Sequence, residues 1–152
     1  MNAETTDTEM KAIWARIMPL FSNRHTALLE LVRRHGLTPP HGFTLASLSF
    51  GPLRMRELAD ALVCDASYIT SIVDRLEETG LAVRKPSQTD RRVKQIELTA
   101  KGHRVAKQIT TLMTDPPTEF SALTARDRST LITILERILP EPDFPPRIFR
   151  RP

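Results

Sequence analysis

A single cysteine, Cys64, stands among 152 residues, so no disulfide can form within the chain. A lone thiol with no basic neighbour behaves as a small hydrophobe rather than a redox sensor, and the expected compartment is a reducing one, the cytoplasm. Glycine is scarce as well. Gly36, Gly42, Gly51, Gly80 and Gly102 are scattered as punctuation, leaving neither a phosphate-cradling run nor a nucleophile elbow. The histidines His25, His35, His41 and His103 show no HExxH or paired-ligand spacing, and the carboxylates form no cluster. Catalysis, a cofactor and a bound metal are therefore not expected. Long uncharged apolar runs are missing, and Met1 to Met10 is polar rather than signal-like, so no membrane contact is expected. The formal charge of +4 permits a polyanionic partner without demanding one.

What is present is most informative between Arg56 and Thr99. Met55, Leu58, Ala59 and Leu62 fall at i, i+3, i+4 and i+7, one apolar stripe of a short helix from about Met55 to Leu62. Val63 and Cys64 leave a very short connection, which forces a steep crossing and suits a helix-turn-helix. The second helix, Asp65 to Glu78, has Asp65 as its cap and Ile69, Ile72, Val73 and Leu76 as its inward stripe. Its other face carries Ser67, Tyr68, Thr70, Ser71 and Arg75. Short hydroxyls and one aromatic on the first two turns can enter a major groove and meet base edges and phosphates, with Asp74 and Glu78 held back at the far end. Gly80 ends this helix.

After Gly80 the period changes to two. Leu81 and Val83, then Ile96 and Leu98, alternate with polar residues and read as the strands of a hairpin whose tip holds Pro86, Ser87 and Asp90. From Arg84 to Lys94 the cations Arg84, Lys85, Arg91, Arg92 and Lys94 face one acid, Asp90, and a protruding positive tip of this kind fits a minor groove. The expected fold class is mainly α with a small β-hairpin wing: a winged helix-turn-helix lobe flanked by N- and C-terminal dimerisation helices.

The segment Ser67 to Leu81 (SYITSIVDRLEETGL), the wing pattern Asp90-Arg91-Arg92 followed by Ile96, Leu98 and Thr99, and Lys101-Gly102 together resemble the MarR (multiple antibiotic resistance regulator) family of dimeric transcription factors, over roughly Gly51 to Val105. The resemblance implies that the second helix reads the major groove and that Arg92 enters the minor groove, held in its pose by Asp90. It implies a homodimer built by the terminal helices. It also implies that the chain shares a cleft, between that interface and the DNA lobe, where many members take small, often aromatic, acids. The DNA-binding set on this reading is Ser67, Tyr68, Thr70, Ser71, Arg75, Arg91, Arg92 and Lys94, with Asp90 as wing support.

The termini fit such a plan. Met10, Ile13, Trp14, Ile17 and Met18 form one helical stripe that Phe21, Leu28, Leu31 and Val32 continue beyond Pro19, which is expected to kink or divide the helix. A short helix is expected from about His41 to Phe50 after Pro39-Pro40. Thr99 caps a helix with Val105, Ile109, Leu112 and Met113, and Thr124 with Asp127 makes a capping box for a last helix with Leu131, Ile134, Leu135, Ile138 and Leu139. The chain reads as one domain, 1–152, with dimerisation helices at about 1–36 and 100–139, a DNA lobe at about 40–99 and a Pro/Arg-rich tail at 140–152. The expected function is a sequence-specific double-stranded-DNA-binding regulator, a homodimeric repressor on an inverted repeat. Two alternatives stand beside it: a winged-helix interaction module without DNA affinity, and a DNA-binding regulator with no effector.

Overall fold

The structure is a computed structural model that describes residues 3–87 and 92–140, the side chains of 3–5 excepted. Asp90, Arg91 and the tail 141–152 lie outside the described residues. Helix α1 (Ala3–Arg34) runs without a break through Pro19, correcting the expected division. Proline removes one helical N–H and crowds the preceding turn, at roughly 3 kcal/mol. That penalty acts at one position, while helical bonding continues on both sides of it. Gly36 ends the helix at φ +67, with its N–H on Arg33 O and the N–H of Leu37 on Val32 O. This is a Schellman turn, and buried Leu37 and Val32 supply its apolar contact.

Helix α2 (Pro39–Leu48) starts earlier than the sequence suggests. Prolines occupy its first positions, where no N–H is needed, and Thr38 serves as N-cap. The N-cap amide of Thr38 donates to His41 Nδ1 at 3.2 Å. Strand β1 (Leu53–Arg54) leads into α3 (Met55–Leu62), and α4 (Ala66–Glu78) follows across a turn in which Val63 takes φ 52, ψ 50. Both helices fall where the apolar stripes placed them.

The hairpin strands β2 (Ala82–Pro86) and β3 (Lys94–Leu98) pair antiparallel in the register Ala82↔Leu98 to Pro86↔Lys94. The sheet has a third strand the sequence did not announce: β1 pairs β3 through Leu53↔Ile96 and Arg54↔Gln95, in the order β1-β3-β2. Two residues are too few to show an alternation.

Helix α5 (Ala100–Thr114) is capped by Thr99, whose hydroxyl accepts from the Gly102 amide at 3.0 Å, and a short 3₁₀ turn (Thr118–Ala122) precedes α6 (Ala125–Ile138). The core joins α2 to α5 around Leu45, Leu58, Ile69, Val73, Leu76, Leu81, Ile96 and Ile109, all fully buried. Helix α6 has no buried residue. No helix among the described residues is long and apolar enough to cross a membrane.

Candidate nucleic-acid interface

Helix α4 presents two faces. Ile69, Ile72, Val73 and Leu76 are buried, while Ser67, Tyr68, Thr70 and Ser71 stand exposed on the first turns. The helix starts cleanly because Asp65 accepts the Tyr68 amide at 2.8 Å and the Ser67 hydroxyl. Those hydrogen bonds, Ser67's first, hold the Asp65 carboxyl below its usual range. Thr70 Oγ donates to Ala66 O and Ser71 Oγ to Tyr68 O, so the hydroxyls turn lone pairs outward, toward groups that donate.

Arg75, Arg84 and Lys85, all expected on this surface, have internal partners. Arg75 bonds through NH2 and Nε to Gly36 O at 3.3 and 3.4 Å and through NH1 to Glu78 at 3.1 Å. These bonds stand beside the phosphate contact expected of Arg75, whose side chain is still half exposed; the α1–α2 turn packs close enough to α4 to receive it. Arg84 places NH2 2.7 Å from Asp74 Oδ1 and NH1 on Glu77 Oε2, and its amide donates to Glu77 Oε1 at 2.7 Å. Burial works to lower the Arg84 pKa, but the hydrogen bond it donates to Asp74 and the charge of Glu77 outweigh it, and the result is raised. Lys85 pairs with Glu97 at 2.8 Å. The charge count of one acid against five cations fails here because acids distant in sequence fold onto the root of the wing. Arg92 and Lys94 are exposed beyond it. The expected Asp90–Arg92 support and Arg91 lie outside the described residues.

Cys64 sits half-buried at the helix-turn-helix turn, where burial and then the Asp65 charge push its thiol pKa up. Among the described residues no group of three His, Cys, Asp or Glu side chains is placed to hold a metal. Between α1 and α5 lies an open groove of 410 Å³ lined in part by Leu31, Leu112, Arg34 and Gln108. Trp14 and Phe21 are outside it, both on the exposed side of α1.

A family model described as MarR family matches residues 35–93. The chain is 34% identical over 100 residues to the HTH-type transcriptional repressor MdtR of Bacillus subtilis, a stretch covering 65% of this chain and 64% of that protein. It therefore spans under two thirds of that relative's length. Among solved structures, YusO of Bacillus subtilis superposes with a TM-score of 0.70 at 26% identity, covering 93% of this chain and 100% of that one. The MepR–DNA complex of S. aureus gives 0.61 at 21% identity over 84% of this chain and 98% of that one, a likeness of fold alone.

Proposed function

Because the chain belongs to the MarR family, we propose that it is a transcriptional regulator that binds double-stranded DNA as a homodimer and represses by occupying an inverted-repeat operator. One observation carries this reading: α4 buries a complete apolar stripe and leaves Ser67, Tyr68, Thr70 and Ser71 exposed on its first turns, beside a wing bearing Arg92 and Lys94. An α-helix with such a face fits the major groove, and an arginine fits the adjacent minor groove. The same fold carries DNA in the MepR complex.

The terminal helices support the homodimer. Trp14 is 61% and Phe21 62% exposed on α1, and Ile138 is 73% exposed on α6, which has no fully buried residue. Apolar surface of this extent marks an interaction face. Residues of about 1–36 and 100–139 serve dimerisation, those of about 40–99 contact DNA, and the α1–α5 groove, where Arg34 pairs with Glu30 at 3.6 Å beside Leu31 and Leu112, receives a small aromatic acid that exchanges for Glu30 as the partner of Arg34.

The test is enrichment of duplexes from a random-sequence pool by the full chain, then binding of the enriched duplex with and without candidate aromatic acids such as salicylate. The expected product is an inverted repeat with half-sites about one helical turn, roughly 34 Å, apart. A monomer at micromolar concentration, or no duplex preferred over its scrambled counterpart, overturns the reading.

A further inference from the structure

We infer that Arg84 is a positioning residue for DNA recognition: it locks the root of the wing to the C-terminal half of α4 and so sets the angle between the two DNA-contacting elements, without touching DNA itself. The inference rests on the proposed DNA-binding function.

The geometry is specific. Asp74 and Glu77 are one turn apart on α4, immediately behind the exposed Ser71, and both point at a single guanidinium on β2. Two guanidinium nitrogens meet two carboxylates, and the backbone N–H of the same residue donates to the remaining oxygen of Glu77. The Arg84 and Glu77 side chains are 24% and 32% exposed, so their contact is partly shielded, while Asp74, at 53%, closes the fork from the solvent side. A planar fork satisfies two carboxylates at fixed angles in a way a point charge on a flexible stem does not. Lys85 ties the same end of the hairpin across to Glu97 on β3. The hairpin thus leaves α4 at a braced angle, and a rotation at its root would carry Arg92 away from the groove next to the one α4 occupies.

The brace gives the two acids a role. Carboxylates on a helix that approaches phosphate repel it, unless they hold a cation whose placement is worth more than the repulsion.

That contrast gives a test with opposite signs. The probe is the duplex the wild-type chain enriches from a random pool, measured against a scrambled duplex of equal composition; failure to enrich any duplex defeats the functional reading, while the variants below address Arg84. In D74N/E77Q, two negative charges are gone and Arg84 is released. We expect affinity for the scrambled duplex to hold or rise, while discrimination between the two duplexes falls about tenfold, as for strongly coupled neighbours. R84A is expected to lower discrimination about tenfold in the wild-type background and by less than about twofold in an R92A background, because Arg84 acts through the wing. R84K restores part of the loss. Melting curves establish that each variant is folded, and the near-isosteric D74N/E77Q pair carries the test if R84A is not. Discrimination unchanged in D74N/E77Q, an acid-free variant that tightens on both duplexes alike, or an R84A loss of equal size with and without Arg92 overturns the inference.

Discussion

Arg75 on α4 reaches back along the chain to the carbonyl oxygen of Gly36, 3.3 Å from its NH2 and 3.4 Å from its Nε. Helix α4 is thereby fastened to the turn that follows α1. Gly36 can present that oxygen because φ +67 is open to glycine, and a Cβ there would sit 3.2 Å from Arg75 NH2. Arg75→Ala should lower stability by about 1 kcal/mol, the value of a charge-assisted bond discounted for partial exposure. Urea unfolding measures this. In parallel, the salt dependence of duplex binding should keep its slope; a slope reduced by roughly one unit would mean that Arg75 contacts a phosphate after all.

Gly102 is required by contact rather than by conformation. A Cβ built there would stand 1.9 Å from the Leu81 carbonyl oxygen, where the first turn of α5 meets the start of the wing. Backbone has to move, so Gly102→Ala should destabilise by about 3 kcal/mol, the upper part of the range for overpacking. Gly80→Ala has open space around it and φ +69, so its strain should stay near 1 kcal/mol. Comparing the two denaturation midpoints checks the distinction.

Val63 is a β-branched residue at φ 52 in the helix-turn-helix turn, and it is 92% exposed. It gains nothing from burial and bears left-handed strain. Val63→Gly should stabilise by about 0.5–1 kcal/mol, the strain relieved less the added freedom of glycine in the unfolded chain. A thermal midpoint that falls instead would show that the side chain makes a contact worth more than the strain.

His41 introduces a pH dependence. Its pKa is lowered by burial and then by the Arg75 charge. A group whose folded value lies below its unfolded one favours the native state where it is neutral. The stability it contributes is present above about 6.5, and it is lost as pH falls from there toward the lower folded value. Protonation also removes the Nδ1 acceptor at the start of α2. Urea midpoints should drop as pH falls from 7.5 to 5, and His41→Asn should flatten the profile. The depressed Asp65 and Asp127 carboxyls act only below their ordinary value of 3.8, outside that window.

Arg92→Ala is expected to weaken binding to the enriched duplex by about 1–3 kcal/mol, the range for a good groove contact. Fluorescence anisotropy across a salt titration measures it. Unchanged affinity at every salt concentration would remove the wing from the mechanism.

Much of the architecture was legible beforehand, for identifiable reasons. The α3 and α4 stripes, the Asp65 and Thr99 caps, the Thr124–Asp127 box and the glycine stop at Gly80 act within a turn or two, so local spacing reveals them. The period-two segments announced the hairpin just as directly. The exposed hydroxyl face of α4 followed from its buried stripe by geometry alone. Strand β1 was invisible because its two residues gain strand geometry only from Ile96 and Gln95 opposite.

Residue order sufficed for the kind of molecule this is, since helical period, capping chemistry and turn residues are properties of neighbours along the chain. The fate of the cations was another matter. Whether Arg75, Arg84 and Lys85 face a partner duplex or an acid of the same protein depends on how α4 crosses the wing and the α1–α2 turn, and Coulomb energy follows distance in space, not separation in sequence. Folding brought Gly36, Asp74, Glu77 and Glu97 to those side chains, and so distinguished the cations that hold the reading head in shape from those placed beyond its root.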